Sequence, residues 1–197
     1  TDQNKIYYHK LGTSQKEDVL IFGGTPEEKN RYCDAYVTDD QRFLVIFGAD
    51  ATSGNKLFIK DLTKANAPLV TILNDYSSDT SVIDVKGDKL YLFTNLNAPN
   101  GKVVVTDIKN PTPEHWTDLI PESENVLDIT TAGGYILAKY TVAALTEVKQ
   151  YDFSGKFIRD IKLPSIGVAG GFSSKDDQKD TYFWFTNTCT PTSIYKL

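Results

Sequence analysis

The sequence predicts an all-β chain of four-stranded antiparallel blades, a large part of a β-propeller, on three observations. Period-2 patterning appears wherever the chain is apolar, and no segment keeps a helical period for three turns. The segments Phe58-Ile59-Lys60-Asp61-Leu62, Val104-Val105-Thr106-Asp107-Ile108 and Lys149-Gln150-Tyr151-Asp152-Phe153 share one form, with their aspartates 46 and 45 residues apart. The turn pairs Asp39-Asp40, Gly87-Asp88, Gly133-Gly134 and Asp176-Asp177 follow the same period, each between two apolar strands. A two-residue hairpin needs residues tolerant of positive φ there. A repeat of roughly 40 to 50 residues with four strands per unit marks a propeller, in which each small sheet hides its faces against its neighbours.

Taken in order, residues 1–30 form a half blade in which 6–10 aligns with the third strand of the later repeats. The blade at 31–75 reads as strands 33–38, 43–47, 57–60 and 69–73. The blade at 76–122 reads as 81–85, 90–93, 103–106 and 117–120, and that at 123–164 as 126–129, 135–140, 147–151 and 157–161. An incomplete blade fills 165–197, ending on a third strand at 193–197. About four blades are therefore expected, with the chain starting and stopping in mid-blade like an excised piece. The other arrangement is a small closed ring, if the first strands complete the last blade. Blades at the ends of an open arc would expose apolar faces and unpaired edges, which predicts self-association or capture of another chain there.

Composition narrows the function. Ten Phe and 11 Tyr in a chain rich in Val, Ile and Thr lean it towards strand. A net charge of −5 gives no basic footprint for nucleic acid or an anionic membrane surface. Apolar runs such as 44–47 fall far short of the ~20 residues that span a bilayer. Cys33 and Cys189 stand outside any C-x-x-C or Cys/His metal spacing and read as free thiols. The chain opens on Thr1-Asp2-Gln3 with no charged and apolar leader. An excised fragment would be silent on compartment, which stays open between cytosol and periplasm.

No catalytic residue, metal site or cofactor is expected. His9 reads as an edge or packing residue of a strand, and His115 as a loop residue without a second histidine at zinc spacing. A nucleophile elbow needs glycines on both sides of its serine, whereas Ser14 and Ser173 are each followed two positions later by lysine, at Lys16 and Lys175. The carboxylate pairs Asp39-Asp40 and Asp176-Asp177 fall on turns, where solvated turn residues are the simpler reading than a glycosidase pair. Neither 84–88 nor 176–180 has the spacing of a calcium loop, and the loop 48–55 lacks a phosphate-binding lysine.

Several stretches go beyond generic pattern. The segment Tyr7-Tyr8-His9-Lys10-Leu11-Gly12-Thr13-Ser14-Gln15-Lys16-Glu17-Asp18-Val19-Leu20 resembles the Y-Y-H-x-L-G-T-x-Q-x-x-D-x-L stretch of the prolyl oligopeptidases. Leu163-Pro164-Ser165-Ile166-Gly167-Val168-Ala169-Gly170-Gly171-Phe172-Ser173 and Thr186-Asn187-Thr188-Cys189-Thr190-Pro191 resemble the final blade of that family. Thr38-Asp39-Asp40-Gln41-Arg42 and Asn97-Ala98-Pro99-Asn100-Gly101 are similar to its middle turns, a weaker signal.

The resemblance implies a seven-bladed propeller seated on an α/β-hydrolase domain whose Ser, Asp and His triad cleaves short peptides after proline. This chain would run from the second half of the third blade to the third strand of the seventh, with the triad wholly beyond Leu197 and the fragment inactive alone. The propeller would act as a lid that admits short proline-containing peptides and excludes folded proteins. Its partners would be those peptides and its own hydrolase domain. By alignment, Tyr32 and Lys60 occupy positions that face substrate in the family, each with a residue type other than the family's own. The alternative is a free-standing propeller module that binds a peptide or protein partner.

Overall fold

The computed structural model describes residues 4–197. Seventeen strands and two short 3-10 turns make up its regular structure, and the described residues contain no α-helix. The chain divides into two compact units: residues up to Ser81 together with Lys109–His115, and Val82–Ile108 together with Trp116–Leu197.

In the first unit, β1 (Ile6–Tyr8) and β2 (Val19–Phe22) form an antiparallel hairpin. A four-stranded sheet follows in the order β3 (Tyr32–Val37), β4 (Phe43–Ala49), β5 (Lys56–Asp61) and β6 (Leu69–Leu73). Each strand pairs antiparallel with the next. Ala35, Ile46 and Phe58 stand opposite one another across three strands, so their side chains share a face. Phe22 packs on that face with its ring centroid 5.0 Å from that of Phe58. Ile6, Ile21, Leu44 and Leu69 surround the pair.

The second unit holds three sheets. The first is β7 (Thr80–Lys86, whose first two residues fall in the other unit), β8 (Lys89–Thr94), β9 (Lys102–Asp107) and β10 (Thr117–Ile120). The second is β11 (Val126–Ala132), β12 (Tyr135–Val142), β13 (Leu145–Tyr151) and β14 (Phe157–Asp160). The third has β15 (Val168–Ser173), β16 (Tyr182–Asn187) and β17 (Thr190–Lys196). The architecture is all-β, a partial propeller of four-stranded antiparallel sheets.

The middle sheet of this unit shows how such a fold closes its core. Along β12, Ile136, Ala138 and Tyr140 enter one cluster with Val103, Ile120 and Leu127, whereas Leu137 enters another with Val148, Phe172 and Phe185. Alternation therefore does not separate core from solvent here; it divides side chains between two cores, and a strand covered on both faces reads as a continuous apolar run.

The aspartates that revealed the repeat have a structural task. Asp61 ends β5 and its Oδ1 accepts from the Thr63 backbone N–H at 2.9 Å and the Thr63 hydroxyl at 2.6 Å. Asp152 follows β13 and accepts from the Ser154 N–H at 2.8 Å and the Lys156 N–H at 3.1 Å. Asp107 ends β9 at the corresponding place. Each marks the exit of a third strand, where a side-chain oxygen can stand in for the missing ladder acceptor and fold the turn.

The turns differ from expectation at two of four places. Gly87, Gly133 and Gly134 take positive φ as expected, at 62°, 56° and 78°. Between β3 and β4 it is Gln41 that does so, at 58°, because Asp40 spends its carboxylate on the Thr38 hydroxyl and the Arg42 N–H. The β15–β16 connection is a longer loop, with Asp176 and Asp177 outside the positive-φ positions. One tight turn was not foreseen: β12 and β13 continue to Val142 and Leu145 and are joined by Ala143 and Ala144, both at positive φ.

Candidate functional site

Both substrate-facing candidates lie in the sheet β3–β6, and the sheet keeps them apart. Tyr32 opens β3 opposite Ala49, while Lys60 lies near the end of β5 opposite Leu44 and Leu69, in the row that includes Val37. From Ala49 to Leu44 is five residues of unbroken strand, roughly 17 Å at the usual rise. An odd step also turns the side chains to opposite faces. Tyr32 and Lys60 thus stand at opposite ends and on opposite faces of one sheet, and a single ligand contact cannot engage both.

The end carrying Tyr32 is the richer of the two. Tyr32 is 46% exposed, with the Arg31 guanidinium 5.4 Å from its ring centroid. The Arg31 backbone N–H donates to Asp50 Oδ1 at 2.8 Å, which fixes where the strand begins. Asn30, buried to 2%, donates through Nδ2 to the Glu28 carbonyl and accepts through Oδ1 from the Tyr76 hydroxyl, each at 2.8 Å. Lys56, at the start of β5, donates to the Glu27 carbonyl at 2.9 Å and lies 5.3 Å from the Tyr76 ring centroid. Burial, helped by the neighbouring Asp50, pushes the Tyr76 phenol up to about 12, so it stays a neutral hydrogen-bonding group.

Two glycines make this cluster possible. A Cβ on Gly48 would lie 2.5 Å from the Asn30 side chain, and one on Gly54, at φ +76°, would lie 2.0 Å from the Tyr76 carbonyl oxygen. The result is a cluster of Lys56 and Tyr76 around the buried Asn30 amide on the Gly48 face, while Tyr32, opposite Ala49, turns to the other face of the sheet. Lys56 and the Tyr76 ring bring a cation and an aromatic surface together there. Reading the sequence alone missed Asn30, Lys56 and Tyr76; the glycines at 48 and 54, out of place in a strand and its flank, were the available signal.

Several other titratable groups have structural partners. His9 is not simply an edge residue: its Nδ1 lies 2.6 Å from Asp18 Oδ1, which clips the two ends of the β1–β2 connection together. Within that loop Thr13 bonds back to the Lys10 carbonyl, and Ser14 and Glu17 form a capping box around the short turn Gln15–Glu17. The residues that carried the family resemblance there are thus the ones that shape a hairpin loop. Cys33 donates weakly to the Asn4 carbonyl at 3.7 Å, and burial, with the Asp50 and Glu28 charges, raises its thiol. Among the described residues no group of three or more His, Cys, Asp or Glu side chains is placed to hold a metal ion.

Known proteins agree with this geometry along the full chain. Residues 1–197 match the family model described as prolyl oligopeptidase, N-terminal β-propeller domain. The prolyl endopeptidase of Elizabethkingia meningoseptica is 50% identical over 196 residues, covering 100% of this chain and 28% of that protein. A solved structure from a study of two prolyl endopeptidases and their inter-domain dynamics superposes with a TM-score of 0.88 at 29% identity, over 98% of this chain and 28% of that one. Prolyl oligopeptidase B of Galerina marginata, bound to a 35-residue hydrolysis and macrocyclization substrate, superposes with a TM-score of 0.85 at 25% identity, over 98% and 28% of the respective chains. The chain therefore spans little more than a quarter of the length of these relatives. By the match of every residue to one domain model and the identity it shares with these enzymes, the chain belongs to the N-terminal β-propeller domain of the prolyl oligopeptidase family.

Proposed function

We propose that this chain is the substrate-filtering propeller portion of a prolyl-specific serine endopeptidase, and that the parent enzyme hydrolyses short peptides after proline. The reading is carried by the 50% identity with a prolyl endopeptidase across the whole chain. The hydrolase domain, with its Ser, Asp and His triad, belongs to the part of the protein outside residues 1–197. The propeller supplies steric selection: an enclosed cavity under a lid accepts an extended peptide and rejects a folded one. Its partners are short proline-containing peptides and its own hydrolase domain, with self-association through open sheet edges when the fragment is alone. Blades at 31–75, 76–122 and 123–164 are the units of this lid.

Of the two residues aligned with substrate-facing positions, Tyr32 is the better placed, since it is 46% exposed with the Arg31 guanidinium beside its ring. Lys60 lies at the other end, as a half-buried strand residue. The test uses a Gly-Pro reporter peptide with the fragment and with the full-length parent. Turnover by the parent and none by the fragment is the expected result. Turnover by the fragment alone, or an inert parent, overturns the reading.

A further inference from the structure

The three sheets of the second unit meet at one side chain. Lys86, the last residue of β7, pairs with Asp84 on its own strand at 2.8 Å and with Asp176 of the β15–β16 loop. Its Nζ also lies 4.7 Å from the ring centroid of Phe153, in the β13–β14 turn of the middle sheet. Phe153 is held in turn by the Tyr91 hydroxyl of β8, which donates to its carbonyl at 3.1 Å. The Lys86 side chain is 31% exposed, so this is a half-buried cation with anions on two sides and a ring on a third.

The loop that Lys86 reaches has little else to hold it outward. Residues 175–180 are all exposed. Besides the bond from Lys86 to Asp176, they bond among themselves, from the Lys175 N–H to Gln178 Oε1 and from the Gln178 N–H to the Lys175 carbonyl, both at 3.1 Å, while at the loop's two ends the Ser174 and Thr181 hydroxyls lie 2.8 Å apart and the Thr181 carbonyl accepts from the Leu197 N–H at 2.8 Å. Asp180 pairs with Lys196 of the same sheet at 2.8 Å. Beside this loop lies the turn Gly133-Gly134, which carries no side chain. A Cβ on Gly133 would come within 3.3 Å of the Gln178 carbonyl, and one on Gly134 within 3.8 Å of the Asp176 carbonyl. The loop therefore runs against a bare turn of the middle sheet and is fastened to β7 through Lys86.

We propose that residues 174–181 form a strap across the middle sheet of this unit and that Lys86 is its clasp, so that releasing one ion pair frees the strap without unfolding the sheets beneath. The chemistry favours a fastening that holds but can be undone. Burial works against the charge of Lys86, yet the hydrogen bonds and charges of Asp176 and Asp84 outweigh it and raise the lysine pKa. The Asp176 end is 55% exposed and open to screening by salt. A buried apolar contact would not respond in that way. This inference stands independently of the enzymatic reading.

The experiment is hydrogen exchange followed by mass spectrometry on the full-length protein, with β12 and β13 as internal reference. Lys86→Met and Asp176→Asn should each raise the exchange rate across 174–181 by about three- to tenfold, with β12 and β13 unchanged. Salt at about 1 M, where the Debye length is about 3 Å, should loosen the strap in the wild type and add little in either variant. If Lys86→Met disturbs the sheets as a whole, Asp176→Asn decides, since it alters only the exposed end. Unchanged exchange at 174–181 in Asp176→Asn, or a rise shared equally by β12 and β13, overturns the proposal.

Discussion

The two ends of β12 are turned in the same way by different residues. At one end Gly133 and Gly134 take φ of 56° and 78°; at the other Ala143 and Ala144 take 48° and 64°. Both pairs join neighbouring antiparallel strands with two residues in the left-handed region, the geometry that matches the twist of a hairpin. Glycine adopts it without steric cost, whereas an alanine Cβ meets the adjoining carbonyl at a cost of roughly 1 to 2 kcal/mol per residue. The alanine turn persists because seven pairs from Ile136↔Tyr151 to Val142↔Leu145 run without a bulge and leave two residues to close the hairpin. Strand register has overridden local preference.

The sharpest way to break this comparison is at the glycine end. Gly133→Val should destabilise the protein by about 2 to 3 kcal/mol, seen as a lower urea midpoint, because a β-branched residue is forced to positive φ. Gly87→Val supplies the control, since a Cβ at Gly87 meets nothing within 4 Å and reports backbone strain alone. Equal losses would show that the overlying Gln178 carbonyl adds nothing. A Gly133→Val protein as stable as the wild type would remove the steric account of the turn.

A smaller effect of opposite sign is expected at the alanine end. Replacing Ala143-Ala144 by Asn-Gly, the pair that hairpins of this type favour, should stabilise by about 1 kcal/mol, after the extra freedom of glycine in the unfolded chain is subtracted. The melting temperature should rise accordingly. No rise, or a fall, would mean that the alanine side chains contribute packing that outweighs their strain.

The smallest effect concerns the third kind of turn, closed by a side chain. Hydrogen bonds from Ser154, together with the Lys156 charge and backbone, lower the Asp152 pKa. Folding therefore favours its ionised form. That contribution is complete above the ordinary aspartate range and is lost as pH falls through the lowered folded value. A carboxyl NMR titration should place the Asp152 midpoint below that of an unstructured aspartate, and a midpoint at or above it would leave the turn without its acceptor.

These three turns explain what a sequence can disclose. The repeat was legible because Asp61 and Asp152 perform the same bond at the same exit from a third strand, which forces a recurring letter at a recurring distance. Glycine turns were legible for a similar reason. Ala143 and Ala144 left no mark, since their conformation is imposed by pairing that accumulates along two strands. The polar cluster beside Gly48 was not visible, because Asn30, Lys56 and Tyr76 assemble from segments 20 to 46 residues apart through a bond such as Tyr76 to Asn30. His9 and Asp18, nine residues apart, gave no periodic hint of their contact.

The division of β12 between two cores carries an evolutionary consequence. Deleting one residue within that strand would send Ile136 and Leu137 to each other's side, spoiling two interiors with a single lesion. Length variation among descendants of this domain should therefore gather in the connections between strands, while central strands drift by substitution alone.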